Sequence, residues 1–132
     1  MITFWITNRF VIMRNTFSKK ESMTEKKLIE KLFSEGRSIN NFPISIKYLY
    51  FRDPNFLRNR IIISVSKNKI KSAVKRNLIK RRIRESYRIN KNIIKNFKLL
   101  IAFIYNVDKV LEYSIIEDNI IKIFHDLKKM ND

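Results

Sequence analysis

Residues 60–105 read RIIISVSKNKIKSAVKRNLIKRRIRESYRINKNIIKNFKLLIAFIY, and the change of pattern along this stretch decides the fold. The run Arg60 to Ser66 is β-branched and suits a central strand; Lys98 to Tyr105 is a second, mostly buried one. Lys71 to about Ile89 favours helix, with Arg76, Lys80, Arg84 and Arg88 recurring every four residues. On a helix those four form a cationic ridge with neighbours about 6 Å apart along the axis. The apolar positions leave two options open. Val74 and Leu78 point one way and Ile79, Ile83 and Tyr87 another, so either the helix is covered on two sides or regular helix begins near Asn77.

Working outward, Ser22 and Glu25 have capping-box spacing, Leu28, Ile29, Leu32 and Phe33 form an apolar stripe, and Gly36 stands where a left-handed helix C-cap belongs. From Pro43 to Phe51 the pattern alternates, with Ile44, Ile46, Tyr48 and Tyr50 on one face and Ser45, Lys47 and Leu49 on the other. Asp53-Pro54-Asn55 reads as a turn. Ser114 and Glu117 repeat the capping-box spacing ahead of an amphipathic helix bearing Ile116, Ile120, Ile123, Phe124 and Leu127. The order is helix, strands, helix, strand, helix: an α+β fold, a single-domain α/β sandwich spanning residues 13–132. Residues 1–12 are too short and too interrupted for a membrane span or a signal peptide, and Met13 is an alternative start. They are expected to be a dispensable extension.

The chain of 132 residues is one domain in length. It has no Cys, which excludes a disulfide scaffold, a thiolate zinc site and a cysteine nucleophile. A single His, His125, leaves little acid–base chemistry near neutral pH. The formal charge of +17 points to a polyanionic partner. Lysine and asparagine richness alone could reflect AT-rich coding sequence, but the charge is not spread evenly. Residues 67–88 hold ten basic residues and one acidic, and five of the eleven arginines lie between Arg76 and Arg88. Arginine's planar fork suits phosphates and base edges better than a lysine point charge. A DNA-reading helix-turn-helix is not expected, because no short helix precedes the basic one.

Ser64-Val-Ser-Lys67 followed by Ala73-Val-Lys-Arg-Asn77 and by Lys80, Arg81 and Arg84 resembles the signature of the protein subunit of bacterial ribonuclease P. Phe17-Ser-Lys-Lys, the helix from Lys27 to Arg37 and the strand after Phe42-Pro43 extend the likeness over about residues 17–128. Leu78 stands where the family has a second arginine, Lys71-Ser72 replaces a common Gly-Asn, and Arg82 replaces a residue that is often apolar.

The resemblance implies a left-handed β-α-β crossover, whereas chain geometry alone favours a right-handed one. It also implies a division of labour. The RNA subunit would cleave the 5′ leader from precursor tRNA with Mg2+ held mainly by RNA, while the protein binds and has no catalytic residue or metal of its own. The expected RNA-binding residues are Lys67, Lys75, Arg76, Asn77, Lys80, Arg81, Arg82, Arg84 and Arg88, with Asn77 alternatively a helix cap. A cleft between the first helix and the sheet would hold the single-stranded leader, with Lys31, Phe33, Tyr48 and Ser66 as candidates, since single strands are gripped by cations and stacked aromatics. The expected partners are the catalytic RNA and precursor tRNA, in the cytoplasm and away from membranes. The rival reading is a structural RNA-binding protein of the ribosomal type. Asp108, Glu112, Glu117 and Asp118 fit caps and solvated faces, so a self-sufficient nuclease is disfavoured.

Overall fold

A computed structural model describes residues 10–12, 22–50, 59–95 and 97–131. The turn expected at Asp53-Pro54-Asn55 and the Phe17-Ser-Lys-Lys segment lie outside them. The elements are β1 (Phe10–Ile12), α1 (Ser22–Glu35), β2 (Arg37–Ile39), β3 (Ile44–Tyr50), β4 (Arg60–Val65), α2 (Ala73–Asn90), a 3-10 turn (Lys91–Ile94), β5 (Leu99–Tyr105) and α3 (Tyr113–Asn131). The strands form one mixed sheet in the order β1-β4-β5-β3-β2. Among the described residues only β4 and β5 are parallel, Ile61 facing Ile101 and Ile63 facing Phe103, and α2 supplies the long connection that a parallel pair needs. β1 pairs antiparallel with β4 at the sheet's edge. The sheet therefore includes residues 10–12.

Strand alternation sorts the core into two layers. Ile44, Ile46, Tyr48, Ile61, Ile63, Val65, Ile101 and Phe103 face α2 and α3, meeting Ile79, Ile83 and Tyr87 from one helix and Ile116, Ile120, Ile123, Phe124 and Leu127 from the other. On the opposite face a smaller cluster joins Ile29 and Leu32 of α1 to Ile62, Leu100 and Ala102, with Phe33 and Leu49 at its margin. The rings of Tyr87, Phe103 and Phe124 meet at centroid separations of 6.1–6.4 Å, an edge-on and tilted arrangement that adds about 0.5–1.5 kcal/mol per pair beyond burial. Among the described residues no helix is long and apolar enough to cross a membrane.

Two local expectations change. α2 is regular helix from Ala73 and is covered on one side only: Val74 is 79% exposed. Gly36 does not adopt a positive φ. Its amide donates to the Leu32 carbonyl at 2.8 Å, and an added Cβ would meet that oxygen at 2.2 Å. Close backbone approach, not left-handed geometry, fixes the glycine.

Candidate nucleic-acid interface

The basic segment begins in the turn that ends β4. The Ser66 carbonyl accepts from the amides of Lys69 (3.2 Å) and Ile70 (3.0 Å), and its hydroxyl accepts from the Asn68 amide (3.1 Å). Ser66 is thus a turn former, which presents Lys67 to solvent. Ser72 caps α2, its hydroxyl accepting from the Lys75 amide at 3.3 Å. That assigns the capping role to Ser72 and leaves Asn77 exposed in the second turn of the helix. No acidic residue occupies the first turn, so the positive end of the helix dipole adds to Lys71 and Lys75.

The four-residue ridge exists as geometry, but its members differ in what they touch. The Arg76 guanidinium donates through Nη1 to the carbonyls of Ile70 and Lys71, both at 2.8 Å, tying the turn to the helix. Arg88 forms a two-point ion pair with Glu85, one arm being Nε to Oε2 at 3.0 Å. The centre of the ridge is Lys80 and Arg84, both half-buried, with Arg81 exposed beside them. Arg84 Nε donates to the Lys80 carbonyl at 3.4 Å. Burial first, and then the neighbouring charges of Arg76 and Arg84, hold the Lys80 ammonium below its ordinary pKa. Such a like-charged row favours any anion that neutralises it.

Arg82 departs from the expected surface. Its Nη1 donates to the carbonyl of Leu111, in the connection between β5 and α3. It lies two residues from both Lys80 and Arg84, which is about 200° around the helix. Its contact is therefore made on the opposite flank.

The leader-cleft candidates are not brought together. Tyr48 follows Ile44 and Ile46 onto the α3 side of the sheet, is 4% exposed, and donates to Met130 Sδ at 3.4 Å. Phe33, in the last turn of α1, sits on the other side. Period-two alternation separates the two rings by the thickness of the sheet. Lys31 is exposed on α1, 3.9 Å from Glu35. The residue on β3 that does meet Phe33 is Lys47, whose Nζ donates to the Phe33 carbonyl at 3.0 Å and lies 5.4 Å from its ring centroid. The alternation already placed Lys47 opposite Tyr48, so the signal was present once α1 was assigned to that face. Beyond α1 the same face continues as a cross-strand row in which Ser45 faces Ile104 and Ile104 faces Ser64. Asn106 borders this row, donating through Nδ2 to Ser45 Oγ at 2.6 Å.

Among the described residues, no three His, Cys, Asp or Glu side chains gather where they could hold a metal ion. Glu117 instead accepts from Tyr113 (2.8 Å) and Asn90 (3.1 Å), and His125 is exposed on α3. The exposed and half-buried cations of α2 can pair with an extended anion.

A strand–turn–basic-helix unit carried on this sheet order has close counterparts. A sequence model of the ribonuclease P family matches residues 17–128. The chain is 37% identical over 123 residues to the ribonuclease P protein component of Petrotoga mobilis, covering 86% of this chain and 96% of that one. It is 32% identical over 111 residues to that of Streptococcus agalactiae, covering 84% and 94%. The solved RNase P protein of Staphylococcus aureus superposes with a TM-score of 0.66 at 25% identity, over 77% of this chain and 90% of that one. The Thermotoga maritima protein shares the fold at a TM-score of 0.63 and 19% identity, over 84% and 96%. β1 lies ahead of the matched residues and only the last three residues of α3 lie beyond them; by sequence and by fold this chain belongs to the ribonuclease P protein family.

Proposed function

We propose that the chain is the protein subunit of ribonuclease P, binding the catalytic RNA and the 5′ leader of precursor tRNA while the RNA performs hydrolysis. The observation that carries this reading is the Lys80–Arg84 flank of α2, with Arg81 and Lys75 beside it, in a family whose members are ribonuclease P protein components. These cations neutralise phosphates, release condensed counterions and hold the RNA in register; they donate hydrogen bonds and move no proton. Lys67, at the tip of the turn, extends the contact along the RNA backbone. The α1 face of the sheet, with Phe33, Lys47 and the row through Ser45 and Ile104, is the surface for the single-stranded leader. In this reading magnesium belongs to the holoenzyme and is held mainly by RNA. A cytoplasmic location goes with that substrate. Family membership favours this reading over a structural RNA-binding protein of the ribosomal type.

The test is reconstitution of the full chain with its cognate RNA subunit and precursor tRNA at low magnesium. The expected result is a gain in cleavage and in substrate affinity, with log affinity falling against log salt by roughly 0.7–0.9 per phosphate contacted. Unchanged cleavage and affinity on adding the protein would overturn the assignment.

A further inference from the structure

Both backbone polar groups of Leu111 are engaged. Its carbonyl accepts from Arg82 Nη1, and its amide donates to Tyr105 Oη at 3.1 Å. The same phenol donates to the Lys109 carbonyl at 2.6 Å. Tyr105 is the last residue of β5 and is buried at 2% exposure, so the anchor on that side is the sheet itself. Leu111 packs at the margin of the main core, two residues ahead of α3. Arg82 therefore joins α2 to the sheet and to α3 through one short connection, and does so on the flank opposite Lys80 and Arg84.

We propose that Arg82 is a positioning residue for RNA binding: it clasps the Leu111 carbonyl, fixes the bearing of α2, and makes no phosphate contact itself. The proposal rests on the RNA-binding reading above and narrows the surface that reading uses. A guanidinium engaged with a carbonyl on one flank cannot reach an anion seated on the other, about 200° away. Its charge adds to the general field of the helix, whereas its hydrogen bond sets where Lys80, Arg81 and Arg84 stand. A charge-assisted bond to a half-buried carbonyl is among the stronger single restraints available there.

The experiment compares Arg82→Leu, Arg84→Ala and Tyr105→Phe with the unaltered chain, each full length and reconstituted with its RNA subunit. RNA affinity is measured across a salt series, and amide hydrogen exchange over residues 106–112 is read in the protein alone. Arg82→Leu is expected to lower affinity about fivefold with the salt slope unchanged, and to speed exchange in the connection. Tyr105→Phe releases the other side of Leu111 without altering charge, and is expected to do the same. Arg84→Ala is expected to flatten the slope by about one unit. A slope flattened by about one unit in Arg82→Leu, affinity equal to that of the unaltered chain, or unchanged exchange at residues 106–112 overturns the proposal. Exchange is read without RNA, so failure of the clasp is distinguishable from failure of the RNA-binding reading.

Discussion

Lys47 donates to the backbone carbonyl of Phe33 at 3.0 Å while its ammonium stands 5.4 Å from the centroid of the same residue's ring. Phe33 lies in the last turn of α1, where carbonyls lack helical partners and the dipole favours a cation. One β3 lysine thus caps the helix, approaches its aromatic face, and puts positive charge on the floor between helix and sheet. A single-stranded nucleic acid crossing that floor would find a ring edge and a cation side by side.

The proposed leader-binding surface is therefore expected to respond to Phe33 and not to Tyr48. In the holoenzyme, Phe33→Leu keeps an apolar group against Ile29 and Leu32 but removes the ring. It should reduce the preference for precursor over mature tRNA between about five- and hundredfold, the range for one stacked base. Tyr48→Phe removes only the hydroxyl that points to Met130, on the far side of the sheet, and should leave the preference unchanged. Ratios of precursor to mature tRNA affinity decide the matter, and a larger loss in Tyr48→Phe would place the leader on the wrong face.

Lys80 should trade stability for binding. Burial, then Arg76 and Arg84, lower its pKa from the ordinary lysine value. Between the folded value and 10.5 the unfolded chain holds more protons than the folded one, so stability rises with pH across that window. Below it the charged lysine is a standing cost of the fold. Lys80→Met should raise the melting temperature of the protein alone, the two like-charged neighbours being unfavourable by about 0.2–0.5 kcal/mol each. The same change should weaken RNA binding and flatten the salt slope by about one unit. A melting temperature that falls along with affinity would show that the ridge carries no electrostatic strain.

Much of this arrangement was legible in the residues. The β-branched run at Ile61–Ile63, the charge concentrated around Arg81 and the stripe through Ile116, Ile120 and Phe124 fixed the crossover unit and the last helix, because each pattern has one period and one way to bury it. What stayed hidden depended on pairing across the sequence. Nothing local says that α1 covers Lys47 and Leu49 and not Tyr48, since both faces of β3 carry large side chains. Nor does spacing reveal that Arg82 reaches Leu111, 29 positions away, or that Arg76 turns back to Ile70 and Lys71. In all three cases the helix or strand was right and the partner was decided by tertiary contact.

Tyrosine ionisation should track the alkaline limit of the fold. Burial pushes the Tyr87 phenol up to about 12. Tyr113 is likewise pushed up to about 12, by desolvation and then by its hydrogen bond to Glu117. Both are neutral in the fold and titrate near 10 once unfolded, so the stability they lend is complete below pH 10 and is lost as pH climbs toward 12. Absorbance from these two rings should rise only as pH nears 12, and unfolding followed by far-ultraviolet dichroism should accompany it. Glu117→Gln removes the carboxylate facing Tyr113 and should move that ring's titration downward. If all five tyrosines ionised in one step near 10 while the dichroism stayed native, the buried setting of Tyr87 would be wrong.

Gly36 separates two explanations of a helix end. Were a left-handed cap the requirement, Asn would serve nearly as well as Gly, because its short polar side chain tolerates that conformation. Here φ is not positive, and the constraint is the Leu32 carbonyl 2.2 Å from where a Cβ would stand. Any side chain meets that oxygen alike, so Gly36→Ala and Gly36→Asn should both destabilise, by about 1–3 kcal/mol as overpacking does. The end of α1 must shift to make room, loosening Phe33 from Lys47 as well. Chemical denaturation of the two variants measures this directly, and a Gly36→Asn midpoint matching the unaltered chain while Gly36→Ala falls would restore the left-handed cap.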